Sequence, residues 1–234
     1  MERIVVNTEK MSPSEEYVCW LDIMGTQTSM SESFEKSANF ILRFHTAVLK
    51  AKISKKIRVY PVMDGVYVVV KKLENMMRCI DRIMTVLAEV FLSEENNHRF
   101  MVKGAVAKGT LHHGSKISPD VSSVIATKTE YKEHLLFGLP MIQAYRSEKK
   151  APPFGVYIHE SARTVNGLQG RYYFWNRDNT ISDKENLQAQ LKEELCLFLD
   201  WEKDRSYYFE MEPSKLTEYK ERIKEYFTMI EDGR

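Results

Sequence analysis

The chain has 234 residues, of which 43% are hydrophobic and 29% charged, values typical of a globular protein with a substantial core. Its 34 Lys and Arg residues nearly balance 33 Asp and Glu residues, and the net charge of +1 provides no basic field for nucleic acid or a membrane surface. Three scattered cysteines without a CxxC spacing, and the lack of a long apolar run, predict a cytoplasmic protein with reduced thiols and no membrane partner.

The N-terminal part of the chain predicts one strand and one helix. Residues 1–16 are polar and are expected to form a loose lead-in, so that residues 17–234 form a single domain with a C-terminal elaboration from about 159. A β-branched and aromatic run predicts the first strand at 17–23, ending before Gly25. Apolar spacing then predicts a helix whose buried stripe comprises Phe34, Ala38, Ile41, His45 and Val48.

Two further strands are predicted to form a hairpin around Met63-Asp64-Gly65, with the glycine supplying the unusual backbone angles of the turn. The second helix has the clearest apolar stripe, which comprises Leu73, Met76, Met77, Ile80, Ile83, Met84, Leu87 and Phe91. A fourth strand follows at 100–109. The order β-α-β-β-α-β is that of a ferredoxin-like α+β domain, with a central, mostly antiparallel sheet flanked by helices.

The second half of the chain has a less regular pattern. The segment 110–135 predicts a short strand and a short helix. The pair His112-His113 does not indicate a zinc site, since no carboxylate or cysteine lies at zinc-ligand spacing, and it is expected in a loop or at a partner contact. A helix is predicted from about Leu139 to Lys149, before two prolines. Strand-like pieces follow at 155–158, 171–175 and 195–209, and a terminal helix at 215–230.

Two aspartates occur where aspartate is rare. Asp22 interrupts the apolar run of the first strand, and Asp64 lies at the turn of the hairpin. A buried carboxylate without a partner is destabilising, or its pKa rises until it is neutral. In a β-α-β-β-α-β domain the first strand and the hairpin lie side by side at the sheet centre, which would bring the two carboxylates together. A divalent cation shared by Asp22 and Asp64 would explain both exceptions.

The chemistry of such a site is phosphoryl transfer. Mg²⁺ and Mn²⁺ prefer oxygen ligands, and two ions can activate an attacking oxygen while stabilising a leaving one. The loop after the first strand, with Gly25, Thr26 and Gln27, would offer backbone N–H groups to phosphate oxygens. The structural alternative is that Asp22 caps the following turn and Asp64 occupies an ordinary Asp-Gly turn.

Four short motifs occur in order on the predicted elements. Asp22-Ile23-Met24-Gly25 follows an apolar strand, Asp64 lies in a hairpin, and the fourth strand carries glycines. This arrangement resembles the class III nucleotidyl cyclase catalytic domain, over about residues 17–158. The closer resemblance is to the bacterial pyrimidine cyclases of the Pycsar anti-phage system. Residues 103–109, KGAVAKG, are similar to that group's RGAISIG, and residues 137–148, FGLPMIQAYRSE, to its FGxxLxxAYxxE helix.

The resemblance implies a homodimer with active sites at the subunit interface. Asp22 and Asp64 would bind two Mg²⁺ or Mn²⁺ ions, with the backbone carbonyl of Ile23 as a further ligand. The 3′-hydroxyl of a nucleoside triphosphate would attack its own α-phosphate and release pyrophosphate. Arg146 matches the family's transition-state arginine, which the partner subunit delivers. The alternative interpretation is that Arg146 is a solvent-exposed helix residue without a role in the site. The product would be a second messenger in anti-phage defence.

Departures from the family pattern bear on the substrate. The family's asparagine falls on Ile142, the base-reading lysine of purine cyclases on Tyr60, and the acidic or polar partner of that lysine near Leu135. A pyrimidine triphosphate, UTP or CTP, is therefore expected, with Tyr60 touching the base or else packing in the core. Two other hypotheses stay open. The protein is a purine cyclase with unusual base contacts, or it is a non-catalytic nucleotide-sensing module. The second is favoured by Ile142 and by Gly65, a position where members of the family often carry serine.

Overall fold

A mixed sheet organises the computed structural model, which describes residues 6–26, 30, 33–51, 54–163, 168–175, 184–204 and 213–231. Its strands are β1 (Ser14–Ile23), β2 (Arg58–Val62), β3 (Gly65–Val70), β4 (Val102–His113), β5 (Leu136–Phe137), β6 (Val156–Ile158) and β7 (Tyr172–Tyr173). Six follow the order β2-β3-β1-β4-β6-β7, and β5 pairs with β4. The β4–β6 pair is parallel and the others are antiparallel. The first strand therefore lies beside the hairpin at the sheet centre, as the sequence predicts, although it begins three residues earlier, and β4 flanks it on the other side.

The described α-helices flank this sheet. They are α1 (Phe34–Ala51), α2 (Leu73–Ser93), α3 (Ser123–Ala126), α4 (Thr129–Glu133), α5 (Leu139–Glu148), α6 (Lys184–Asp204) and α7 (Pro213–Glu231). Within this part of the chain, no helix combines the length and the apolar character needed to cross a bilayer. The α+β prediction is confirmed, with helices on both faces of a mostly antiparallel sheet.

Side-chain alternation along β1 separates the two faces of the sheet. Cys19 and Leu21 face the main core, which α1, α2, α6 and α7 complete. Val18 and Trp20 face a smaller apolar cluster, to which Ala144 of α5 contributes. By the same alternation Asp22 lies on the face that α5 covers, close to the end of β1. The fold thus places this carboxylate beside a helix.

The buried face of α1 differs from the prediction. Phe34 is 81% exposed, and Val48 alone of the predicted stripe is buried. The side chains that face the core are Ser37, Phe40, Phe44, Ala47, Val48 and Ala51. Both sets have helical spacing, so periodicity alone does not decide between them. In α2, by contrast, the predicted stripe faces the core, because its apolar residues form a single band.

The structure corrects two predictions in the second half of the chain. Strand β4 continues to His113, so the histidine pair lies in the sheet and not in a loop. The strand-like piece at 195–209 is wrong up to residue 204, since α6 covers it, and 205–209 lie outside the described residues. Leu191, Leu195 and Leu199 are spaced four residues apart and, with Phe198, bury one side of this helix against the core. A run of β-branched residues would instead favour a strand. The predicted helix at 139–149, the strand at 155–158 and the terminal helix are confirmed.

Candidate active site

The two aspartates lie at the same edge of the sheet. Asp22 is the penultimate residue of β1, and its register partner in β3 is Gly65, the residue that follows Asp64. Asp64 itself stands in the turn between β2 and β3. A Cβ atom placed on Gly65 would lie 2.9 Å from Oδ1 of Asp22, so the Asp22 carboxylate lies directly over the hairpin backbone.

The protonation of Asp22 reflects this crowding. Burial raises the pKa of its carboxyl group, and the charges of Asp64 and Glu148 raise it further, against the opposing effects of Lys103 and of the Ile23 backbone N–H. The resulting pKa is about 7, compared with 3.8 for an ordinary aspartate. A cation at this edge would favour the charged carboxylate. A divalent ion bound here would therefore relieve the repulsion between the carboxylates.

An ion pair flanks Asp22 on the side of β4, opposite the hairpin. Lys103 is the register partner of Asp22 in β4, and its Nζ lies 3.0 Å from Oε1 of Glu148, at the end of α5. The two side chains are 11% and 12% exposed. Both residues belong to the motifs at 103–109 and 137–148, but the sequence alone indicated a role for neither. The sequence feature that could have indicated a role for Lys103 is its charge within an apolar strand, on the sheet face that it shares with Asp22.

The oxygen atoms at this edge suit Mg²⁺ or Mn²⁺. The residues that would hold an ion are Asp22, Asp64 and the backbone carbonyl of Ile23, which also accepts a hydrogen bond of 3.2 Å from the Thr26 hydroxyl. Within the described ranges, no group of three His, Cys, Asp or Glu side chains is arranged to hold a metal. Two carboxylates are enough for Mg²⁺, which proteins commonly bind through one or two carboxylates together with the phosphates of the substrate.

The loop after β1 turns sharply at Gly25. Its φ of 76° lies in the left-handed region, which glycine adopts without strain. Thr26 is buried beside it, and Gln27 lies outside the described residues. The assignment of these three residues to phosphate binding stays a prediction.

An aromatic cluster covers the sheet next to Asp22. The ring of Trp20 lies 4.5 Å from that of Tyr67 and 5.7 Å from that of Tyr145 in α5. Gly65 makes room for it, since a Cβ there would lie 2.3 Å from Cη2 of Trp20. The positive φ of the hairpin turn belongs to Met63, at 54°, so the expectation that Gly65 supplies the unusual turn angle is wrong. Gly65 is needed for close packing.

This contact gives a first prediction. Gly65→Ala is expected to lower the free energy of unfolding by about 1–3 kcal/mol, because the added methyl group overlaps the indole. Urea denaturation followed by circular dichroism measures the change. In a Trp20→Leu background the same substitution should cost less than half as much, since the overlap with the indole is removed and only the approach to Oδ1 of Asp22, at 2.9 Å, remains. An equal cost in both backgrounds would contradict the packing explanation.

A buried hydrogen-bond network fixes Tyr60. Its hydroxyl lies 2.7 Å from Nδ1 of His113, whose Nε2 lies 3.0 Å from Glu16, and Arg58 donates to both carboxylate oxygens of Glu16 at 2.7 and 2.8 Å. Burial acts to raise the pKa of Glu16, but hydrogen bonds from Ser14 and Arg58 outweigh it and lower the pKa. The ionised Glu16 only accepts, so Nε2 of His113 donates to it and Nδ1 accepts from Tyr60. No pattern in the sequence predicted this network.

Arg146 faces solvent. It lies on α5, one turn after Ile142, so the two residues share a face of the helix. Arg146 is exposed, as are Ile142 at 50% and Tyr145 at 58%. The structure therefore brings Asp22, Ile23, Gly25, Thr26 and Asp64 to one edge of the sheet, and holds Arg146 on an outward helix face.

The fold defined by this sheet and its flanking helices is that of class III nucleotidyl cyclases. The guanylyl cyclase Cya2 matches with a TM-score of 0.52 and 15% identity over 74% of this chain and 98% of that chain. A bacterial light-regulated adenylyl cyclase matches with a TM-score of 0.53 and 14% identity, over 80% of this chain and 60% of that chain. A class III adenylyl cyclase-like ATP-binding protein from Pseudomonas aeruginosa matches with a TM-score of 0.50 and 13% identity, over 95% of this chain and 44% of that chain.

At these identities the similarity establishes the fold, and it agrees with the resemblance seen in the sequence. The last of the three structures covers nearly the whole chain, whereas this chain spans less than half of that protein. Models of protein families and curated protein sequences give no significant match. What the site does therefore follows from its own residues.

Proposed function

We propose that the protein is a metal-dependent nucleotidyl cyclase that converts UTP or CTP to the 3′,5′-cyclic monophosphate and pyrophosphate. The observation that carries the proposal is the Asp22 carboxylate, held over the hairpin of Asp64 with its pKa raised to about 7. Two carboxylates kept together at one edge of the sheet repel each other when both are charged, and a cation bound between them would remove that repulsion. The class III cyclase fold supports the same assignment.

The residues at the sheet edge would divide the work of phosphoryl transfer. Asp22, Asp64 and the carbonyl of Ile23 would hold two Mg²⁺ or Mn²⁺ ions, which supply the positive charge that activates the 3′-hydroxyl and neutralises the phosphates. The backbone around Gly25 and Thr26, with Gln27, would orient the triphosphate. Lys103, beside Asp22, would place a further positive charge on the phosphate oxygens.

A second copy of the chain would complete the site. The exposed face of α5 carries Leu139, Ile142 and Tyr145, an apolar surface that pairing of two subunits would bury. Arg146 lies on the same helix and would extend into the partner's site, where a cation stabilises the charge that develops on the α-phosphoryl group. We therefore propose a homodimer with shared active sites.

The pyrimidine preference rests on Tyr60. Because its hydroxyl hydrogen is donated to His113, only lone pairs remain to accept a hydrogen bond. The N3–H of uracil or the amino group of cytosine would supply the donor. A cyclic pyrimidine nucleotide made in this way would serve as a second messenger in anti-phage defence, the role that the resemblance to Pycsar cyclases implies.

Incubation of the purified protein with each of the four nucleoside triphosphates and Mn²⁺ tests the proposal. We expect pyrophosphate and a cyclic product, identified by mass spectrometry, from UTP or CTP at a rate at least about tenfold above that with ATP or GTP. A cyclic purine nucleotide as main product would replace the pyrimidine assignment by a purine cyclase. Nucleotide binding without any product would instead identify a non-catalytic sensing module, for which Ile142 is the motivating residue.

A further inference from the structure

The C-terminal helix α7 reaches the candidate site. Nζ of Lys103 lies 3.5 Å from the hydroxyl oxygen of Tyr219 and 5.6 Å from the centroid of its ring. Arg222, one turn further along α7, donates a hydrogen bond of 3.0 Å to the backbone carbonyl of Lys149, immediately after α5. The helix is thus fixed to the same end of α5 that carries Glu148.

These contacts enclose the ammonium group of Lys103. Glu148 of α5 and Tyr219 of α7 both contact it, and the strand pairing sets Lys103 across from Asp22. A lysine side chain loses considerable rotamer entropy when it is ordered. The ring of Tyr219 adds attraction for the ammonium group without adding a second negative charge to that of Glu148. A lysine held in this way is preorganised to meet a phosphate oxygen.

We propose that Tyr219 is a positioning residue of the site: together with Glu148 it holds the ammonium group of Lys103 beside Asp22, where it contacts the phosphates of the substrate. The inference rests on the proposed function. It gives the C-terminal helices, which no sequence motif explains, a part in substrate binding. Tyr219 acts through Lys103 and does not itself touch the nucleotide.

The test measures binding of inorganic tripolyphosphate by calorimetry, with Mn²⁺ present. Tyr219→Leu, which keeps apolar bulk but removes the ring, is expected to raise Kd by about threefold to tenfold, in line with a cation–π contact at a partly exposed site. Tyr219→Phe keeps the ring and should stay within about twofold of the wild type, because the 3.5 Å hydroxyl contact is weak. For the nucleotide substrate, Tyr219→Leu should raise KM by a similar factor with little change in kcat, while Mn²⁺ binding alone stays the same.

A double-mutant cycle separates positioning from general stability. Lys103→Ala should weaken tripolyphosphate binding more than Tyr219→Leu does, and Tyr219→Leu should add nothing in the Lys103→Ala background. An equal effect of Tyr219→Leu in both backgrounds, or no effect in the wild type, would overturn the inference and leave the proposed function standing. A wild-type protein that binds no tripolyphosphate would overturn both. Tyr219→Met replaces Tyr219→Leu if urea denaturation shows the latter to be unfolded.

Discussion

Replacement of either aspartate by asparagine is expected to lower the rate of cyclic nucleotide formation by at least about 100-fold. Asp22→Asn and Asp64→Asn each remove a charged oxygen ligand while keeping the shape of the side chain, so the ions that activate the 3′-hydroxyl are lost or misplaced. Pyrophosphate release with the preferred nucleotide and Mn²⁺ measures the effect. Higher Mn²⁺ concentration should restore little of the rate, because Mg²⁺ and Mn²⁺ bind weakly to a single carboxylate.

A matched control lies on the same strand. Glu15 is an exposed carboxylate of β1 that accepts a hydrogen bond from Thr110, near the opposite end of the strand from Asp22. Glu15→Gln removes the same unit of charge and should leave the rate within about twofold, as is usual for a surface substitution remote from the chemistry. If Asp22→Asn or Asp64→Asn kept more than a tenth of the wild-type rate, the shared cation site would be wrong.

The metal-free protein is expected to become more stable when Asp22 is neutralised. The folded-state pKa of about 7 lies above the value of 3.8 expected for the unfolded chain, so the folded state binds the proton more tightly. The contribution of Asp22 to wild-type stability should therefore fall as the pH rises from about 4 to about 7, and the loss of that contribution is complete above the folded pKa. At about pH 8, Asp22→Asn should raise the free energy of unfolding by about 2 kcal/mol, which is below the full value of the shift because water screens a partly exposed carboxylate.

Urea denaturation in the presence of a chelator, at about pH 4 and about pH 8, measures this effect. At the lower pH both proteins carry a neutral side chain at this position, and their stabilities should agree within about 0.5 kcal/mol. Replacing the chelator by Mn²⁺ should stabilise the wild type at about pH 8 and leave Asp22→Asn nearly unchanged, since a ligand stabilises only the state that binds it. A variant less stable than the wild type at about pH 8 would show that the crowding of charge at Asp22 is absent.

Local patterns in the sequence predicted the features that depend on neighbouring residues. The order of strands and helices up to β4, the hairpin and the apolar band of α2 follow from patterns within one element or between two adjacent elements. The position of β1 beside the hairpin, and hence the placing of Asp22 and Asp64 at one edge, followed from the topology that this order implies.

The parts that were missed depend on contacts between residues far apart in the chain. His113 binds Glu16 across 97 positions, and Lys103 meets Tyr219 across 116. No single-sequence pattern links such pairs, because each residue on its own is compatible with a loop or a solvated surface. The choice of buried face in α1 failed for a related reason: it is decided by the sheet on which the helix packs.

The packing of Trp20 on Gly65 has a consequence for how this chain can diverge. Any side chain at position 65 would collide with the indole, so serine at that position requires a smaller neighbour at position 20. The two positions should therefore vary together among homologous proteins, with glycine beside tryptophan and serine beside a less bulky residue. The bulk of Trp20 thus accounts for the glycine at position 65.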